Sequence, residues 1–226
     1  IKACLDHQPD LIGFSVYIWN VEQINRIIKT LRTSLPQTKI LLGGPEVSFV
    51  NDGYFKNNLV DYIIYNEGEK AFHLLFDALH HHNKLNDIPN LIYKDRETII
   101  KNKPKTIKDL DGLKSPYAIQ NDTNIQHKIQ YVELSRGCPY QCSYCLASLE
   151  KGLRFFSMDR VKQTIEDLIK QGAKTFKFLD RSFNAHTKLA QSFFEYIIDQ
   201  DYKDIIFQFE INGDVLQPSL IQYLVD

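Results

Sequence analysis

Neither sign of charge is in surplus: 27 Lys and Arg face 28 Asp and Glu, for a net charge of −1. No global basic field therefore advertises nucleic acid. No apolar run approaches the roughly 20 residues that a membrane span needs, and no signal peptide opens the chain. These absences predict a cytoplasmic protein with neither a membrane nor a nucleic acid as partner. Methionine is nearly missing. The single one is Met158, and the chain opens at Ile1, which leads to the expectation of a piece of something longer. Cysteine is sparse at four, and it is not spread out as in a secreted disulfide framework. With 43% hydrophobic and 24% charged residues, the composition excludes disordered, collagenous and coiled-coil classes. The 226 residues suit one and a half to two domains at roughly 100–200 residues each.

What is present alternates between two periods. Leu11 to Ile18 is a nearly continuous apolar run, as in a strand covered on both faces. Asn20 is a candidate N-cap for a helix over 21–34, with Val21, Ile24, Ile27, Ile28 and Leu31 at helical spacing, and Pro36 stops it. Strands follow at 39–42, ended by Gly43-Gly44-Pro45, and at 61–65, and then a helix over 67–82. Strands alternating with helices of this length imply parallel pairing through crossovers. The expected fold class is α/β, with a doubly wound, flavodoxin-like sheet over residues 1–102. A hairpin is expected over 90–94 and 98–101. Residues 103–128 read as a linker, rich in Lys, Asp, Asn and Thr. From 129 the alternation resumes, with strands at 129–135, 175–179 and 205–211 and helices at 158–171, 187–198 and 218–225. Ser157 is a candidate N-cap and Gly172 the C′ residue.

Three of the four cysteines fall in Arg136-Gly137-Cys138-Pro139-Tyr140-Gln141-Cys142-Ser143-Tyr144-Cys145, a C-x3-C-x2-C spacing. Three clustered thiolates can hold an iron–sulfur cluster or zinc. A structural zinc site wants four ligands, and the motif has no fourth Cys or His beside it. A distant His127 or His186 would have to complete it, making the chain a zinc-dependent binding module. Three ligands leave a metal position open, as catalysis requires.

The cysteine spacing, the preceding strand and the aromatic Tyr144 before the last cysteine resemble the radical S-adenosylmethionine (SAM) superfamily. The resemblance covers roughly residues 129–226. It implies a partial (β/α)6 barrel in which Cys138, Cys142 and Cys145 hold a 4Fe-4S cluster. The cluster's fourth iron takes the amino and carboxylate groups of SAM, and reduction yields a 5′-deoxyadenosyl radical that abstracts hydrogen. It also implies SAM contacts at Tyr144, at Asp180 in Leu179-Asp180-Arg181, where many relatives carry Gly-Gly-Glu, and at Glu210. An electron donor such as flavodoxin or ferredoxin is implied too. Arg154 is a further candidate for SAM or substrate. The competing reading of Asp180 and Glu210 is charge at strand ends.

Upstream, Gly13 to Asn20, Gly43-Gly44-Pro45-Glu46 and Glu67-Gly68-Glu69 each follow a strand. In a doubly wound sheet these are the ligand-binding ends. Taken together and placed ahead of the cysteines, they resemble the cobalamin-binding domain of the cobalamin-dependent radical SAM class. The resemblance implies cobalamin contacts at Ser15, Tyr17, Gly43, Gly44, Glu67, Gly68 and Glu69. It also implies methylation of an unactivated carbon in a small-molecule or peptide substrate. An Asp-x-His-x-x-Gly motif is missing, and Asp6-His7 reads as a surface loop. By the order of that family the motif would lie upstream of Ile1, and the barrel would continue past Asp226. The alternative is a domain of the same fold that binds no cobalamin and serves as a scaffold or docking module. Trp19 reads as lining the cofactor face, Cys4 as a buried thiol, and His80-His81-His82 as a favourable helix C-terminus.

Overall fold

The computed structural model describes residues 1–49, 52–56, 58–119, 124–149 and 152–225. The chain divides into two compact units, Ile1–Ile107 and Lys108–Asp226.

The first unit runs α1 (Lys2–His7), β1 (Leu11–Ser15), α2 (Val21–Ser34), β2 (Lys39–Gly43), α3 (Pro45–Phe49), α4 (Asp52–Lys56), β3 (Tyr62–Ile64), α5 (Glu69–His81), β4 (Leu91–Asp95) and β5 (Thr98–Lys101). Its five strands form one sheet in sequential order. β1, β2 and β3 are parallel, and β4 and β5 are added antiparallel. Alternate strand residues feed two cores, as the period of two demands. Ile40, Leu42, Ile63 and Ile92 pack with Ile24, Ile28 and Leu31 of α2 and with Val47 and Phe55. Leu41, Tyr62, Ile64, Leu91 and Tyr93 pack with Ala71, Leu75 and Ala78 of α5. Both faces are covered, which explains the unbroken apolar runs of β2 and β3.

Several local expectations are corrected. β1 stops at Ser15 rather than Ile18 because Asn20 folds the chain back. Its Oδ1 accepts from the Tyr17 N–H at 2.8 Å and its Nδ2 donates to the Ser15 carbonyl. Asn20 occupies the N-cap position of α2 but makes no side-chain cap bond. Asp6 and His7 belong to α1, not to a loop. Cys4 is half-buried, against the α2 side of the sheet.

The second unit contains two 3₁₀ turns (Pro116–Ile119 and Ile125–His127), β6 (Ile129–Val132), β7 (Ser135–Arg136), a 3₁₀ turn (Leu146–Leu149), β8 (Arg154–Phe155), α6 (Met158–Lys170), β9 (Thr175–Phe178), α7 (Thr187–Asp199), β10 (Ile206–Gln208) and α8 (Pro218–Val225). β6, β9 and β10 form a parallel sheet in the order β10-β9-β6. The strand expected over 129–135 is two strands, because β7 leaves the sheet to pair antiparallel with β8. Ser157 caps α6, its Oγ accepting from the Arg160 N–H at 3.3 Å. Gly172 follows at φ +102°. Phe178, Phe183, Phe193 and Phe209 pack ring on ring beneath the strand ends.

The expected linker has little regular structure, but it is tied down. Its residues 120–123 lie outside the described residues. Lys105 exchanges backbone bonds with the buried Asn90 side chain. Asp111 accepts from the Ser157 N–H at 2.9 Å, and Arg160 donates to the Asp111 and Leu113 carbonyls.

Candidate functional site

In the second unit the chemistry-bearing residues gather at the carboxyl ends of three parallel strands. The cysteine loop leaves β7 and returns through β8, so a two-stranded ladder clamps its base. Gly137 enters it at φ +92°. Cys138 and Cys145 are half-buried, Cys142 is exposed, and none is in a disulfide. The Cys145 N–H donates to the Cys142 carbonyl at 3.1 Å. Tyr144 points to solvent at 89% exposure. Among the described residues, no three His, Cys, Asp or Glu converge closely enough to hold a metal ion; the thiols are spread along the loop. The donor set itself, three reachable thiols outside any disulfide on one clamped loop, fits three of the four iron positions of a cluster. A fourth ligand from histidine is poorly supplied. His186 is used at the start of α7, where Nδ1 accepts from the Leu189 N–H, and His127 Nε2 lies 3.2 Å from the Gln126 amide.

Asp180 is not presented to solvent. It is 3% exposed. Oδ2 accepts from the Leu134 N–H at 2.9 Å and Oδ1 from the Ser135 hydroxyl at 2.5 Å. Burial pushes its carboxyl above the ordinary value, and these hydrogen bonds only partly offset that. At the position where the resemblance implies a SAM contact, both oxygens of Asp180 thus already accept hydrogen bonds within the protein. Glu210 is different. It is half-exposed and pairs with Arg181 across 3.5 Å, so its carboxylate is within reach of hydroxyl donors. Arg154 lies in β8 at the loop base.

Asn184 and Ser135 gave no sequence signal. Asn184, fully buried, donates to the Asn212 carbonyl and accepts from the Asn212 N–H, both at 2.8 Å. The Phe183 N–H donates to the Glu210 carbonyl at 2.8 Å. These bonds join the end of β9 to the end of β10.

In the first unit the carboxyl ends of β1, β2 and β3 carry Ser15, Tyr17, Gly43 and Gly44, and Glu67-Gly68-Glu69. Ser15 is exposed. Tyr17 stacks on Trp19 with centroids 4.5 Å apart. Ile18 and Trp19 are 78% and 76% exposed, so this edge offers an apolar surface. Such a surface suits a large, flat cofactor with amide-bearing edges. Two of the positions expected to contact cobalamin also have structural duties. At Gly44 (φ +104°) an added Cβ would lie 2.5 Å from the Val16 carbonyl oxygen, so this glycine serves the close approach of two chain segments. The Glu67 carboxylate accepts from the Ile107 N–H at 2.7 Å and ties the chain leaving the unit.

A B12 binding domain model matches residues 1–76, and a Radical SAM superfamily model matches residues 132–226. The chain thus joins a B12-binding domain to a radical SAM domain. That pairing of domains calls for a 4Fe-4S cluster, SAM and cobalamin. One relative is "Cobalamin-dependent radical SAM methyltransferase TokK" of Streptomyces tokunonensis, 27% identical over 78% of this chain and 28% of its own length. Another is the "Anaerobic magnesium-protoporphyrin IX monomethyl ester cyclase" of Synechocystis sp., 27% identical over 99% of this chain and 47% of its own length. Among solved structures, the cobalamin-dependent SAM radical enzyme OxsB with aqua-cobalamin and SAM bound superposes with a TM-score of 0.79 at 21% identity. It covers 96% of this chain and 32% of its own. The chain thus spans less than half the length of these proteins.

Proposed function

We propose that this chain is part of an enzyme that uses a 4Fe-4S cluster, SAM and cobalamin to methylate an unactivated carbon of a small molecule or peptide. One observation carries the proposal: three reachable thiols, none in a disulfide, share a clamped loop at the carboxyl end of a parallel β/α sheet, in a chain that also holds a B12-binding domain. Cys138, Cys142 and Cys145 would hold the cluster. When bound, these groups supply one-electron cleavage of SAM and a transferable methyl group; the protein supplies orientation and exclusion of water. Glu210 is placed to accept ribose hydroxyls, with Arg181 orienting it. Tyr144, exposed on the same loop, would contact SAM. Ser15, Tyr17, Gly43, Gly68 and Glu69, with Trp19, would form the cobalamin face. A reduced flavodoxin or ferredoxin is the proposed electron donor, which points to the cytoplasm. Among the described residues no helix is long and apolar enough to cross a membrane.

A second reading has specific support. The relative aligned over 99% of this chain is named a cyclase, so the same cofactors would here build a ring rather than add a methyl group. The test is turnover by the whole protein with methyl-labelled SAM. Label appearing in product supports methylation, and unlabelled product made with consumption of SAM supports the cyclase-like reaction. A cobalamin titration of the whole protein separates both readings from a cofactor-free scaffold, since absence of binding would sink them.

A further inference from the structure

We propose that Asp180 is a positioning residue that fixes the base of the cysteine loop. The proposal rests on the reading that this loop holds the cluster. Asp180 stands just past β9, yet its two oxygens reach Leu134 and Ser135, the residues that lead into the loop. Ser135 is itself buried, at 8% exposure. One position therefore captures a backbone N–H and a neighbouring hydroxyl at once, a task that suits two acceptor oxygens on one short side chain. The captured segment is the one that pairs with Arg154–Phe155, and the Phe156 N–H donates to the Leu134 carbonyl at 3.0 Å. Both ends of the loop thus meet at the point Asp180 holds, three residues before Cys138. The other side of Asp180 is fixed as well, because Asn184 and Phe183 bind the segment after β10. The tether therefore sets where the cysteines stand relative to Glu210 and Arg181, the exposed groups proposed to meet SAM. Cluster assembly needs only the three thiols. Presenting the cluster to SAM needs the loop in one place, and that is what Asp180 provides.

The experiment uses the whole protein, reconstituted without oxygen with iron and sulfide, as wild type, Asp180→Asn, Ser135→Ala, the double variant and Ser135→Thr. Three readouts are taken: iron and sulfide per chain, the thermal midpoint of the metal-free protein, and the electron paramagnetic resonance spectrum of the reduced cluster during a SAM titration. Asp180→Asn and Ser135→Ala are expected to keep wild-type iron and sulfide. Each should raise the SAM concentration for the half-maximal spectral change by roughly fivefold or more, the scale of one lost buried hydrogen bond. The double variant should be no worse than Asp180→Asn, because the two residues act as one unit, and Ser135→Thr should restore the wild-type response. A response lost in Asp180→Asn but untouched in Ser135→Ala would mean that Asp180 acts on SAM itself, overturning the proposal. A wild-type response in both single variants would overturn it too. Should Asp180→Asn fail to fold, Ser135→Ala and Ser135→Thr decide alone. Wild type that takes up no iron and sulfide would fell the cluster reading, and the tether with it.

Discussion

At position 44 the backbone sits at φ +104°, and the space a Cβ would fill is already occupied by Val16. Gly44→Ala should cost about 1–3 kcal/mol in backbone strain alone, read as a lower urea midpoint. Gly13, with nothing within 4 Å of an added Cβ, is the tolerant control. Asp180 makes a second prediction at this scale. Its carboxyl is held above the ordinary 3.8 by burial, against its hydrogen bonds. The folded state therefore binds a proton more readily than the unfolded chain, and stability falls as pH rises from that value through the folded pKa. Asp180→Asn should abolish that decline, and unfolding midpoints measured from pH 4 upward check it.

Elements lie where the apolar period put them, but several of their joints were hidden. α2 and α6 follow from Ile24, Ile28 and Leu31 and from Val161, Ile165 and Leu168 at helical spacing, all buried. The break between β6 and β7 was not legible, because the contacts made there, with β8 and with Asp180 some 45 and 46 residues away, are tertiary. Asn20 has a capping residue type but spends its side chain on the end of β1, and Glu67 spends its carboxylate on Ile107. A residue type announces what a side chain can do; the partner that claims it is set by tertiary structure. Among the candidate site residues the three cysteines were legible from spacing, whereas Ser135 and Asn184 had no pattern to betray them. Two element-level predictions follow from these contacts. Ser157→Ala removes the α6 cap and should cost about 1 kcal/mol, seen in denaturant unfolding. Asp61 ties α2 to β2: it accepts from Arg32 at 2.7 Å and from the Ile40 N–H at 2.9 Å. Burial alone would raise its pKa, but the hydrogen bonds from Ile40, Arg32 and Lys39 outweigh it and the net direction is down. Its contribution is therefore complete above the ordinary 3.8 and lost as pH falls through the lower folded value. Asp61→Asn should flatten the acid limb of the stability curve.

Over the whole molecule, two compact units carry two families of cofactor chemistry in one chain. Each unit places its candidate residues at the carboxyl ends of parallel strands, where loops are free to vary over a rigid sheet. The first unit supplies glycines and exposed aromatic surface, and the second supplies thiols and a half-exposed carboxylate. The claim on which the rest depends is that Cys138, Cys142 and Cys145 hold an iron–sulfur cluster. The direct measurement is iron, sulfide and zinc content of the whole protein purified and reconstituted without oxygen, beside a variant with all three cysteines changed to alanine. The account predicts about four iron and about four sulfide per chain, lost in the triple variant. Stoichiometric zinc without sulfide, or equal iron in the triple variant, would contradict it.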